Sequence, residues 1–235
     1  MAVTHIALLL YVSIFILYIL SILSLEKLFS HRPKVKSDTV FKMYAGFQPY
    51  FFTLWTFTLH MIFVILAILD ETSKILKLPV AIQKRLGKTR AFIFNTLLFP
   101  SCLLVSTFFW GIWHIDRELI FPKAVDEFFP SWLNHMLHTF TLIPMVIELL
   151  LPKKYNFVQF RQAAPILIIY SLVYGAILIS LYLRHGVWIY PVFKIFTWPQ
   201  RIFFLALIMA VQVLFLKIGI SIQNSKRPSK TAKIK

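Results

Sequence analysis

Two histidines, an asparagine and a set of threonines stand in this chain where hydrocarbon-facing helices have no structural need of them. From Asp116 to Thr139 the sequence reads D-R-E-L-I-F-P-K-A-V-D-E-F-F-P-S-W-L-N-H-M-L-H-T, a charged loop leading into an apolar segment that carries Asn134, His135 and His138. A buried imidazole or amide is costly without a partner, and such groups inside membrane spans mark sites or pathways. A second apolar segment carries Thr53, Thr56 and His60 at spacings of three and four, hence on one helical face. A hydroxyl beside a neutral imidazole is the apparatus of acyl transfer: the imidazole takes the proton and the oxygen attacks an ester carbonyl. The expected pair is Thr53 as nucleophile and His135 as base, with Asn134 or the Trp188 indole N–H as oxyanion donors. If the second histidine segment starts near Phe128, His135 lies roughly 10 Å deep, and Thr53 lies roughly 15 Å along its own helix from Met43, so the two reach one leaflet. His138 and Thr141 share a stripe with Asn134. Asp116 and Glu118 are the acidic residues that could orient His135, and H-G-V-W-I-Y-P from His185 adds Trp188 and Tyr190 on the same side.

Each of these residues also has a purely structural use. A threonine in a membrane helix commonly bonds the carbonyl one turn back. A histidine near the end of a span can bond a neighbouring helix or a lipid phosphate, and Trp188 and Tyr190 suit the membrane interface as anchors. Asp116, Glu118 and Asp126 have Arg117 and Lys123 beside them. The functional reading therefore rests on the convergence of several such groups on one side of the membrane.

The elements that must position them are membrane helices. With 59% hydrophobic, 17% aromatic and only 14% charged residues, and a mean hydropathy of +0.75, the chain is too apolar for an ordinary soluble domain. Runs free of Asp, Glu, Lys and Arg cover 6–25, 43–69, 91–115, 128–147 and 162–183, and a sixth, 202–222, is interrupted only by Lys217. Each is long enough to cross roughly 30 Å of hydrocarbon, and each must be helical to satisfy its own backbone. The expected fold is all-α, a polytopic bundle of six transmembrane helices forming one domain over 1–223, with a basic tail over 224–235. The first span lacks a charged leader and a small-residue cleavage site and is read as retained. Cys102 is the one cysteine, so no intrachain disulfide can form.

The excess of 25 Lys and Arg over 9 Asp and Glu lies in the connections, where it sets topology rather than binding nucleic acid. Loop two (Lys74 to Arg90), loop four (Lys153, Lys154, Arg161) and the tail outweigh loop one (Lys27 to Lys42), loop three and loop five. Both termini are accordingly expected in the cytosol, with loops one, three and five opposite.

At these residues the chain resembles the family of androgen-induced and androgen-dependent TFPI-regulating membrane proteins. The resemblance is carried by D-R-E-L-I-F-P-K, P-S-W-L-N-H-M-L-H-T and G-V-W-I-Y-P. It implies a multi-pass threonine hydrolase acting on fatty acid esters of hydroxy fatty acids. It also implies His135, in N-H-x-x-H-T, as the essential histidine and Thr53, in Y-F-F-T-L, as the nucleophile. Two departures stand out. Met136 replaces a glycine common in the family, and A-G-F-Q-P-Y before Thr53 replaces G-G-x-W-K with one extra residue, which makes Thr56 the fallback nucleophile.

Rival classes fit the residues less well. Seven histidines, at 5, 31, 60, 114, 135, 138 and 185, are too scattered for a metal-dependent lipid oxidase, so neither metal nor cofactor is expected. A transporter would be expected to show repeats or midplane charges. A non-catalytic membrane scaffold is the main alternative. The expected substrate is a lipid ester drawn from the bilayer; the expected compartment is the endoplasmic reticulum, with the plasma membrane second.

Overall fold

The computed structural model describes residues 2–30, 38–150 and 158–225, and within them the chain is helical with no strand. Its helices are α1 (Ala2–Ser30), α2 (Asp38–Phe47), α3 (Phe52–Ile75), α4 (Val80–Ile93), α5 (Phe99–Asp116), α6 (Ser131–His138), α7 (Leu142–Leu150), α8 (Phe160–His185) and α9 (Trp198–Ser225). Five segments are long and apolar enough to cross a bilayer: α1, α3, the unbroken α4–α5 segment, α8 and α9. This is an all-α integral membrane protein. Arg32, Lys34, Lys36, Lys153, Lys154 and the tail beyond 225 lie outside the described residues, while Asn224 and Ser225 still belong to α9.

The span expected over 128–147 is not one helix. It divides into α6 and α7, separated by a turn at 139–141. Pro144 explains the division: it has no N–H to offer the carbonyl of Phe140, and its ring excludes that carbonyl from a regular helix. A second proline acts differently. Pro100 lies just after a single wide turn, Phe94–Leu98, in which the Phe99 N–H donates to the Phe94 carbonyl five residues back. The helix passes through as a π-bulge rather than breaking.

Packing follows the period of 3.6. On α1, Ala7, Tyr11, Ile14, Tyr18, Ser21 and Leu25 are buried at steps of three and four, while Leu9, Ile16, Leu20 and Leu23 face outward. That inward stripe meets α3; α5 meets α9, and α9 meets α8. The α5–α9 approach depends on Gly219, where a Cβ would fall 2.7 Å from the Phe99 ring. Small residues allow such crossings in membranes, where helices associate by close packing. Gly219→Leu is expected to destabilise the bundle by about 1–3 kcal/mol, read as a lower melting temperature in detergent.

The bundle has two polar ends. At one, Arg90 of α4, only 4% exposed, bonds Asp70 (2.9 Å) and Glu71 (2.6 Å) of α3, Glu148 of α7 (2.6 Å) and Tyr11 of α1 (2.9 Å). The Tyr11 hydroxyl donates in turn to Glu148 at 2.6 Å. At the other end are the first turn of α3, the last turn of α6 and loop five.

Candidate active site

Thr53 is the second residue of α3, and the chain enters that helix through a tight turn over Gln48–Tyr50 containing Pro49. Phe51 has extended dihedrals and no side-chain oxygen, so it gives the helix no side-chain cap. The cap comes from elsewhere. The Phe52 N–H donates to the hydroxyls of Tyr190 (2.9 Å) and Tyr174 (3.0 Å), and the Tyr174 hydroxyl donates to the Tyr50 carbonyl (3.0 Å). Tyr190 reaches this position because Gly186 ends α8 with φ +65°, in the left-handed region glycine occupies without penalty. The chain then turns back, burying Trp188 and Ile189 and directing Tyr190 to the start of α3.

The histidine that meets Thr53 is His138. Thr53 Oγ1 lies 3.3 Å from His138 Nε2, and His138 Nδ1 lies 2.9 Å from the Asn134 carbonyl oxygen. A carbonyl can only accept, so Nδ1 carries the proton and Nε2 presents a lone pair to the threonine. That is the tautomer a general base requires. The ring is held flat against Phe109 (3.6 Å between centroids, 12° between planes), and the Ser106 hydroxyl bonds the His138 carbonyl at 2.7 Å. A hydroxyl–imidazole separation of 3.3 Å is within the range that unliganded sites show before substrate tightens them.

His135, the expected base, does not make this contact. It is exposed, its ring stacks on Trp110, and its Nδ1 shares a 3.2 Å hydrogen bond with the Thr139 hydroxyl, which also accepts from the Trp110 indole N–H at 3.1 Å. The reason lies in the helical face. Leu133, Asn134, Leu137 and His138 are buried together, while Ser131, Trp132 and His135 face outward. The leucines choose the inward side, and their spacing was the available signal. Thr56, the fallback nucleophile, faces the core, and its hydroxyl is buried without a hydrogen-bond partner among the described residues. His60, on the same face, bonds Tyr18 at 3.3 Å.

The supporting residues divide similarly. Asp116 accepts from the Glu118 N–H (2.9 Å), Glu118 accepts from the Lys123 N–H (3.1 Å), and Asp126 pairs with Arg117 (2.8 Å). These acids shape loop three, and neither Asp116 nor Glu118 orients a histidine; a backbone carbonyl does that. Trp188 stacks between Tyr182 and Phe193, and Asn134 contributes its carbonyl rather than its amide. Of the suggested supporting residues, Tyr190 and His138 reach the cavity. Tyr174 escaped sequence reasoning, although a tyrosine inside a predicted span is itself an anomaly.

Thr53, His138, Tyr174 and Tyr190 open onto one cavity of about 530 Å³. Leu25, Phe29, Tyr44 and Phe121 wall one flank, and Leu178, Met209 and Gln212 the other. Leu172 and Ile202 also line it while being 57% and 62% exposed on the outer apolar surface, so the cavity communicates with that surface beside α8 and α9. Within the far flank, Gln212 accepts from Ser171 (2.6 Å) and donates to Ser101 (2.9 Å).

The chain is 32% identical over 161 residues to the androgen-dependent TFPI-regulating protein of Mesocricetus auratus, covering 67% of this chain and 68% of that one. It is 33% identical over 143 residues to the Homo sapiens protein of the same name, covering 61% of each. To the Homo sapiens androgen-induced gene 1 protein it is 33% identical over 110 residues, or 46% of this chain and 45% of the relative. No solved structure matches. The family model described as FAR-17a/AIG1-like protein matches residues 6–224, nearly the full length, and the chain belongs to that family.

Proposed function

We propose that this protein is an intramembrane ester hydrolase in which Thr53 is the nucleophile and His138 the general base. The observation that carries the reading is the 3.3 Å approach of Thr53 Oγ1 to the lone-pair nitrogen of His138 on the wall of an apolar cavity. The substrate class follows from the motifs described above: a fatty acid ester of a hydroxy fatty acid, whose two acyl chains the cavity walls would solvate. His138 Nε2 takes the Thr53 proton as Oγ1 bonds to the ester carbonyl carbon, and the carbonyl electron pair moves onto its oxygen. Collapse of that adduct expels the alkoxide of the hydroxy fatty acid, which recovers the proton from His138. The product is an acyl-Thr53. Water then repeats the sequence, giving its proton to His138 and releasing the fatty acid, and the proton returns to Thr53. Neither metal nor cofactor enters this scheme. The endoplasmic reticulum is the compartment we assign to it.

The test is labelling of membranes with a fluorophosphonate probe. The wild type is expected to label and Thr53→Ala to lose the label. Thr56→Ala should label as wild type. A Thr53→Ala variant that still labels and still hydrolyses ester would remove Thr53 from the chemistry and leave a scaffold as the better account.

A further inference from the structure

The scheme above forms an oxyanion and leaves open which group receives it. The suggested donors, Asn134 and Trp188, do not line the cavity. The hydrogens around the start of α3 identify another. Four groups meet there: the Phe52 N–H, the Tyr50 carbonyl and the hydroxyls of Tyr174 and Tyr190. Tyr174 has one proton, and it lies on the Tyr50 carbonyl at 3.0 Å. The Phe52 N–H is shared between the two hydroxyl oxygens. The 2.9 Å contact between those oxygens therefore cannot draw its proton from Tyr174, and the proton must be that of Tyr190. Of the two hydroxyl protons, this one has a neutral hydroxyl rather than a carbonyl as its acceptor, and because Tyr190 lines the cavity, rotation about its C–O bond can redirect the proton toward it.

Resting on the Thr53–His138 reading, we infer that Tyr190 donates its phenolic proton to the oxyanion formed when Thr53 attacks, and is a catalytic residue of this reaction. The exchange favours the transition state selectively. In the resting protein the Tyr190 proton meets an uncharged oxygen that already accepts from Phe52; in the adduct it meets a full negative charge in apolar surroundings, where such a bond is much stronger. The Phe52 N–H that Tyr190 accepts polarises its O–H further. Thr53 supplies a second donor: its own N–H, in the first turn of α3, makes no backbone bond among the described residues, while the Pro49 carbonyl one turn back accepts from the Trp55 indole. Burial raises the Tyr190 hydroxyl above the ordinary tyrosine value, so it remains a proton donor at neutral pH. Tyr174 is a positioning residue. It fixes the Tyr190 oxygen and the chain at Tyr50 without giving up its proton.

The experiment compares wild type, Tyr190→Phe, Tyr174→Phe and Thr53→Ala as full-length protein in detergent. Three readouts are taken: steady-state hydrolysis of a fatty acid ester of a hydroxy fatty acid, inhibition by a long-chain trifluoromethyl ketone, and binding of the non-hydrolysable ether analogue of the ester. The ketone forms a charged tetrahedral adduct with a nucleophilic hydroxyl; the ether only fills the cavity. Tyr190→Phe is expected to lower kcat about a hundredfold with KM nearly unchanged. It should weaken the ketone by a similar factor and leave ether binding as in wild type. Tyr174→Phe should show a smaller loss. Wild-type kcat and ketone inhibition in Tyr190→Phe would overturn the inference, as would equal losses for ketone and ether, which would mark Tyr190 as structural. Thr53→Ala separates the two levels: an inactive Thr53→Ala beside a fully active Tyr190→Phe overturns only the role of Tyr190, whereas an active Thr53→Ala overturns the hydrolase reading and this inference with it.

Discussion

His138→Gln is expected to abolish ester hydrolysis and fluorophosphonate labelling together, while His135→Ala leaves both within about twofold of wild type. Glutamine keeps much of the imidazole volume against Phe109 but has no basic nitrogen to take the Thr53 proton. Loss of a general base costs about 10²–10⁴ in rate, and more where base and nucleophile act as a unit. His135 gives the opposite result because it lies on the outer face of α6, bonded to Thr139 and stacked on Trp110. Purified variants with matched melting temperatures make the comparison clean. Activity retained in His138→Gln and lost in His135→Ala would reverse the assignment and return the base to the residue that the motif alone suggested.

Arg90→Ala is expected to produce the largest loss of stability in the protein, about 3–5 kcal/mol. The guanidinium joins α4 to α3 through Asp70 and Glu71 and to α7 through Glu148, with Tyr11 of α1 as a fourth contact. Its removal leaves three acidic side chains, each no more than 7% exposed, with Lys74 at their edge as the cation that remains bonded to Asp70 and Glu71. Thermal unfolding in detergent measures the effect, and abundance in cell membranes should fall with it. Arg90→Lys should recover only part of the loss, because one ammonium cannot reproduce a fork that bonds three helices at once. Since the cluster lies at the opposite end from Thr53, the surviving folded fraction should retain wild-type turnover per molecule.

The class of the fold was legible because lipid leaves the backbone no choice: runs of apolar residues had to be helices, and five of them are long enough to cross. The histidine span was misread as continuous because hydropathy does not sense Pro144, whose effect is local and steric. Thr53 was singled out by the resemblance that Y-F-F-T-L carries and by its helical spacing to Thr56 and His60. The histidine it contacts was harder to read, since His135 and His138 are three residues apart and differ by only about 60° around a helix. What separates them is which face Leu133 and Leu137 bury, a preference two leucines express weakly in a segment so apolar. Tyr174 and Arg90 were hidden for a related reason. Arg90 reads in sequence as one more basic residue of loop two, and only the meeting of α1, α3 and α7 around it turns it into a tertiary junction.

Under the proposed hydrolase reading, the opening at Leu172 and Ile202 sets the units in which a lipid ester would be counted. A molecule that enters from the surrounding lipid never dissolves in water on the way, so saturation is governed by its two-dimensional mole fraction among neighbouring lipids rather than by any bulk molarity. Diluting a vesicle suspension with buffer would leave turnover unchanged, while diluting the same vesicles with inert phospholipid would slow it.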